Sequence, residues 1–363
     1  DPEHALAPFF EAASLPRPVP DARRLLIVGI DGAGWEGLAP LLEAGEMPAL
    51  AALRARARWG ALRSMVVPES AMSWTALRTG VGSGRNGVFT FLSGPTPRRS
   101  FWHQLGDHGF RSLIVGVPKA DPTKALKGIL VADWTRGPRA SWSWPAELKP
   151  YLRRAGFVPS LARLRNAEIY RDRMRRRTEV VQQLLAKVDW NLAFVVYEYT
   201  DTVAHRFGLS GEEWASVHRA VDRELAALLA AVGEETTVLV VSDHGWKQYA
   251  RSLSIDAWLE QNGYSGWRTN LPYSGNTISI SSVDDEQGEP PVRGREADGD
   301  SLRALAAGLR DLVDPSTGER VVARIRESHH AFDGPFSDRA PGRLLVELRP
   351  EYRALPRKAE AVF

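Results

Sequence analysis

Six short runs of almost uninterrupted apolar residues punctuate the chain: RRLLIVGI at 23–30, SLIVGV at 112–117, GILVA at 128–132, LAFVVY at 192–197, TVLVVS at 237–242 and LLVEL at 344–348. Runs this short and this continuous predict strands buried on both faces, as in a parallel sheet. Between them, Ala/Leu/Arg-rich segments with helical spacing occupy 38–58, 171–187, 212–232 and 301–313. Ser210 with Glu213 three residues on predicts a capping box at the start of the third of these helices. Strands alternating with helices define an α/β fold, a mostly parallel central sheet with helices on both faces. In such sheets, polar residues just past the carboxyl ends of strands converge on one rim, where ligands bind.

Two stretches break the alternation. Residues 1–22 carry five prolines and no sustained period, which predicts an extended leader. Residues 264–300 carry turn signals at Ser274-Gly275-Asn276, an acidic run at Asp284–Glu286 and Pro290-Pro291, which predicts a small loop-rich cap or insertion. No linker divides 23–363.

Composition narrows the function classes. The chain has 44% apolar and 25% charged residues, an ordinary globular mix. Lys+Arg number 47 against 44 Asp+Glu, a net charge of +3, so no nucleic-acid partner is expected. The basic run at Arg163, Arg165, Arg171, Arg173 and Arg175–Arg177 is interleaved with Asp172 and Glu179 and reads as a solvated helix face. Trp134, Trp142 and Trp144 read as core or cap packing, with a pocket lining as the alternative. With no Cys, disulfides, thiolate metal sites and Cys nucleophiles are excluded. No apolar run approaches the roughly 20 residues that span a bilayer. The chain begins at Asp1 without an initiator Met. Removal of a signal peptide would explain this and predicts a periplasmic or secreted location, with a cytoplasmic one as the alternative.

Three apolar runs lead into metal-type ligands. The first runs straight into Asp31. The fourth leads to Asp201, with His205 four residues later, and the fifth ends in Asp243-His244. A helix starting near Thr200 would put Asp201 and His205 on one face, within reach of a single ion. Asp and imidazole together suit Zn²⁺, Mn²⁺ or Fe better than Mg²⁺ or Ca²⁺. Two carboxylates about 4 Å apart repel by roughly 4 kcal/mol at an effective dielectric of 20. Three at one rim therefore call for a cation. Ser70 follows Pro68-Glu69 and precedes a helix over 74–79. A hydroxyl there sits beside free N–H groups and the positive dipole end, which favours attack on an anionic substrate. The ordinary alternative is an N-cap serine. No His/Asp pair lies near it in sequence to serve as base, so a metal must lower its pKa.

The blocks GIDGAGW, PESAMSWTALRTGVGSGRNGVFTF, TDTVAHRFG and VVSDHGW resemble, in order, the signature blocks of the alkaline phosphatase superfamily. The resemblance is closest to its type I phosphodiesterase/nucleotide pyrophosphatase-like branch and covers roughly residues 23–350. It implies an alkaline-phosphatase-like catalytic domain over 23–363 and a two-metal esterase, with two divalent ions, most readily Zn. Asp31, Asp243 and His244 match the ligands of one metal, with Ser70 at the nucleophile position bridging toward it. Asp201 and His205 match two ligands of the other. The implied activity is hydrolysis of a small phosphate ester, diester or monoester, through a phosphoseryl intermediate on Ser70.

The chain departs from the family pattern in places. The family carries a further His as third ligand of the second metal, and after His244 only His329 and His330 remain, in a segment resembling a region before that ligand. The third ligand is then a residue beyond Phe363, or His329 or His330. Ser73 stands where nucleotide pyrophosphatases carry an Asn. Met72 and Trp74 stand where the sulfatase branch needs a fixed Pro/Arg pattern, which counts against sulfate esters. A catalytically reduced binding protein of the same fold and a phosphomutase or phosphotransferase are the competing readings.

Overall fold

Five of the six apolar runs form strands of one sheet in the computed structural model: β1 (Leu25–Ile30), β2 (Ser112–Val115), β3 (Gly128–Val131), β5 (Leu192–Tyr197) and β6 (Thr237–Val241). A two-residue strand, β4 (Ser143–Trp144), completes the order β4-β3-β2-β5-β1-β6. All pairs are parallel except β3–β4. The structure describes residues 23–132, 142–157, 159, 166–285, 298–355 and 362, without the side chains of 271–274 and 298. The predicted leader at 1–22, Trp134, Arg163 and Arg165 lie outside these residues. The chain divides into two compact units. One is the described part of Asp1–Arg63, Arg78–Gly80 and Arg99–Trp246; the other is the described part of Ser64–Leu77, Val81–Arg98 and Lys247–Phe363.

In the first unit the apolar runs of β1, β2, β3 and β5 are explained by cover on both faces of the sheet, whereas β6, also expected to be buried on both faces, is an edge strand and among the described residues leaves Leu239 exposed. Val28, Ile30, Val115 and Val195 pack into one apolar cluster with helices α1 (Trp35–Glu43), α2 (Pro48–Arg56), α5 (Ala167–Lys187), α6 (Tyr199–Phe207) and α7 (Glu212–Val232). Phe194 points to the opposite face, where Trp102 of α4 (Phe101–Asp107) meets it edge-on at 6.4 Å. Each fully buried Val, Leu, Ile or Phe contributes about 1.5–3 kcal/mol relative to exposure, so these strands anchor the unit. Register sets Ile30 beside Tyr197 and Gly29 beside Val241, which brings three strand ends to one rim.

The helical stretch at 38–58 divides into α1 and α2. Gly45 at φ +72° and Pro48 at the first turn of α2 end one helix and start the next. The capping box expected at Ser210 and Glu213 is not formed. The helix N-cap is Gly211 at φ +92°, with no side-chain cap bond, which leaves Ser210 outside the helix.

The second unit carries an antiparallel sheet in the order β10 (Val322–Glu327), β11 (Leu344–Leu348), β9 (Thr277–Ser282), β8 (Trp267–Ser274). It also carries the parallel pair β7 (Arg251–Leu253) and β12 (Tyr352–Ala354). Leu259 of α8 (Ile255–Gln261) and Leu305 and Leu309 of α9 (Asp298–Arg310) share its core with Ile278, Ile280 and Val346. Two expectations are corrected here. The run at 344–348 is β11 of this antiparallel sheet, because a continuous apolar run reports burial and not which sheet buries it. The stretch at 264–300 is strand hairpin over 267–282, turning at Gly275 (φ +57°) and Asn276. Residues 286–297 of that stretch lie outside the described residues.

Candidate metal centre

The five residues picked out by the strand ends, Asp31, Asp201, His205, Asp243 and His244, belong to the first unit and come together there. Asp31 continues β1, and its N–H donates to the Tyr197 carbonyl at 3.0 Å. Thr200 Oγ1 donates to the Asp31 carbonyl at 2.6 Å, tying the β1 and β5 ends together. Gly32 N–H donates to Asp243 Oδ1 at 3.2 Å, and Ala33 N–H to Ser242 Oγ at 2.9 Å, tying β1 to β6. Gly34 lies so close to the DHGW loop that a Cβ there would stand 3.0 Å from Gly245 Cα.

His244 sits among three carboxylates. Its Nε2 lies 3.4 Å from Asp243 Oδ2, 3.7 Å from Asp31 Oδ1 and 3.9 Å from Asp201 Oδ1. Its Nδ1 faces the Gly245 carbonyl at 3.3 Å. With the proton on Nδ1, Nε2 keeps its lone pair for a ligand. Asp201 stands in the first turn of α6 and His205 in its last. The i,i+4 spacing brings His205 Nε2 to 3.4 Å from Asp201 Oδ2, as the sequence spacing predicts. The helix dipole suits an acid at the first position and an imidazole at the second.

The electrostatics need a positive charge. The Asp31, Asp243 and His244 side chains are nearly buried, and burial holds the Asp243 carboxyl above the ordinary carboxylate range. The charge of Asp201 adds to that rise, while His244 and the Gly32 and His244 N–H groups oppose it. His205 is raised above the ordinary imidazole value by its hydrogen bond with Asp201. One imidazolium cannot offset three carboxylates that repel pairwise by roughly 4 kcal/mol at 4 Å. One ligand atom each from Asp31, Asp243 and His244 lies within 4.8 Å of the other two. Two carboxylate oxygens and an imidazole nitrogen at that spacing fit a divalent transition ion.

Two features were not read from the sequence. Trp246, the last residue of the VVSDHGW block, donates its indole N–H to Asp201 Oδ1 at 2.8 Å and packs edge-on against His205 at 4.6 Å. Gly32, at φ +70°, makes room for it, since a Cβ there would stand 2.8 Å from the indole nitrogen. The only sequence signal was a Trp directly after DHG. The second feature is Arg177, expected on a solvated face and instead buried. Its guanidinium meets Glu198 at 2.5 and 3.0 Å and also donates to the Val196 carbonyl, bracing the corner between β5 and α6. The neighbouring Arg175 and Arg176 pair with Asp172 at the surface, as a solvated face requires. Trp142 is buried and stacks on Phe157, and Trp144 donates to the Leu126 carbonyl, so both pack as predicted.

Ser70 is described within the second unit, as the first residue of α3 (Ser70–Thr79). In its first turn Glu69 Oε2 accepts from Met72 N–H at 3.0 Å. Ser73 is buried one turn on, and its Oγ has no hydrogen-bond partner among the described residues.

A mostly parallel sheet with acidic and imidazole side chains gathered at its carboxyl rim is the arrangement that the alkaline-phosphatase resemblance implies. The sequence model of the type I phosphodiesterase / nucleotide pyrophosphatase family matches residues 25–361, and the chain belongs to that family of phosphoric ester hydrolases. Among solved structures it is similar to phosphonoacetate hydrolase from Sinorhizobium meliloti with phosphonoformate, at TM-score 0.63 and 16% identity over 94% of this chain and 86% of that one. It is also similar to murine ectonucleotide pyrophosphatase/phosphodiesterase 5 with AMP, at TM-score 0.61 and 15% identity over 94% and 82%. The alkaline phosphatase PafA gives TM-score 0.56 and 14% identity over 95% and 88%. At these identities the likeness is one of fold. Comparison with curated proteins finds no match. Among the described residues, no helix is long and apolar enough to cross a membrane.

Proposed function

We propose that this chain hydrolyses a small phosphate ester with Ser70 as nucleophile and two bound divalent cations. Asp31, Asp243 and His244 would hold one ion, and Asp201 and His205 would contribute two ligands to the other. The donor set favours Zn, with Mn and Fe compatible. The observation that carries the reading is the set of three carboxylates gathered within 3.9 Å of His244 Nε2.

When bound, such ions supply Lewis acidity at phosphorus and lower the pKa of a nucleophile. The chain's own residues do the rest. Ser70 Oγ attacks phosphorus and expels the ester alcohol, leaving a phosphoseryl group that water then cleaves. The start of α3 would offer its positive dipole end to the phosphoryl oxygens, and the buried Ser73 hydroxyl would be a further donor. Trp246 and Thr200 hold Asp201 and the Asp31 backbone in place. An exported location belongs to the same proposal and is tested by fractionating cells that express the full reading frame.

The test is metal analysis together with turnover of p-nitrophenyl phosphate and bis-p-nitrophenyl phosphate. The proposal expects two equivalents of metal and hydrolysis that collapses in Ser70→Ala with metal retained. Substoichiometric metal and no turnover of either ester would favour a binding protein of the same fold. Phosphoryl transfer to an added alcohol would favour a phosphotransferase.

A further inference from the structure

A second set of metal-type donors stands in the second unit, where β10 runs into a single 3₁₀ turn, Ser328–Ala331. Glu327 closes the strand, and His329 and His330 lie in the turn. One ligand atom from each of the three lies within 4.8 Å of the other two. Glu327 Oε2 is 3.6 Å from His329 Nδ1, and the two imidazole centroids are 3.8 Å apart.

The backbone beneath them is fixed at both ends. Ser328 is buried, and its N–H donates to the Arg343 carbonyl at 2.9 Å. Glu327 is held opposite Leu344 in the β10–β11 register. On the other side of the turn, Phe332 is buried edge-on against Phe89 at 5.1 Å. A fixed turn lowers the ordering cost of gathering three side chains on one ion. Glu327 and His330 are exposed and His329 is half-buried, so a cation has access.

We propose that Glu327, His329 and His330 form a site of their own for a divalent transition-metal cation of the Zn²⁺ class, in addition to the ion proposed for Asp31, Asp243 and His244. Two imidazole nitrogens and one carboxylate oxygen make a three-ligand set that leaves a fourth position to water. Imidazoles select Zn, Cu or Ni over Mg and Ca. The sequence left these imidazoles as stand-ins for the missing third ligand of the Asp201/His205 ion. Glu327 gives them a complete ligand set of their own.

The experiment is Zn²⁺ titration of the metal-free full chain by calorimetry, with bound metal counted after dialysis, for wild type, His329→Ala/His330→Ala and Glu327→Gln. Thermal melting of the metal-free proteins shows that each variant folds. The double variant should bind one equivalent fewer than wild type and hydrolyse p-nitrophenyl esters at the wild-type rate. Glu327→Gln should weaken that same equivalent about tenfold. Equal stoichiometry in the double variant and wild type would overturn the proposal. So would loss of ester hydrolysis along with the missing equivalent, which would assign the imidazoles to the Asp201/His205 ion. If wild type binds one equivalent and the double variant none, this site stands and the two-metal reading of the Asp31–His244 centre fails.

Discussion

Glu198→Gln removes one charge from a buried pair and leaves the Arg177 guanidinium in place. Both side chains are almost wholly buried, at 3% exposure for Arg177 and 6% for Glu198, and two hydrogen bonds of 2.5 and 3.0 Å join them. Removing one partner of such a pair strands the other charge in a low-dielectric interior, at a cost of about 3–5 kcal/mol. For a cooperative unit of roughly 200 residues, each kcal/mol moves the melting temperature by about 2–4 °C, so the drop should be about 10 °C. The double variant Arg177→Met/Glu198→Leu removes both charges and should recover most of that loss. Scanning calorimetry of the metal-free protein reads both numbers. A Glu198→Gln cost under about 1 kcal/mol, or a double variant as damaged as the sum of the two singles, would refute the argument from stranded charge.

Trp246→Phe keeps a ring against His205 but deletes the N–H that Asp201 accepts. Loss of such an outer partner weakens metal binding by about 10–100-fold, which Zn²⁺ calorimetry should detect as one weakened equivalent. His218, buried under Trp214 with its Nδ1 donating to the Trp214 carbonyl at 2.8 Å, is pushed by burial from 6.5 down to about 4. Because the unfolded chain takes up the proton first as pH falls, stability from this group is intact above about 6.5 and declines toward about 4, by about 3 kcal/mol in all. Urea titrations across that range should show the decline in wild type and a shallower one in His218→Gln. Asp222 caps α2 from α7, accepting from Ala49 N–H at 3.0 Å and Leu50 N–H at 2.8 Å. Asp222→Ala leaves those buried donors unmet and should cost about 1–3 kcal/mol in the same titrations.

Much of the first unit was legible because β1, β2, β3 and β5 are buried on both faces and read as apolar runs, and because β1, β5 and the edge strand β6 lead into the residues that the rim displays. Asp31, Asp201 and Asp243-His244 could be found that way, and the i,i+4 rule paired Asp201 with His205. The hairpin at 267–282 was hidden by its composition. Strand β9, TISISS, buries Thr277, Ser279 and Ser281 as deeply as Ile278 and Ile280. Its serines are satisfied across the hairpin, Ser279 Oγ donating to the Asn270 carbonyl and Asn270 Nδ2 to Ser281 Oγ. A polar strand with internal partners has no apolar signature to read. The two units were also illegible, because each is assembled from three separated segments and no linker marks a boundary. Arg177 and Trp246 were missed for a related reason. Their roles lie in contacts made 21 and 45 positions away in sequence, to Glu198 and Asp201.

Anomalous diffraction at the zinc edge from crystals of the Zn²⁺-loaded protein tests the metal centre most directly. The account predicts one peak about 2.0–2.2 Å from carboxylate oxygens of Asp31 and Asp243 and from His244 Nε2, and a second at the same range from Asp201 and His205. Crystals that bind zinc elsewhere and show no peak among the three carboxylates around His244 would contradict it.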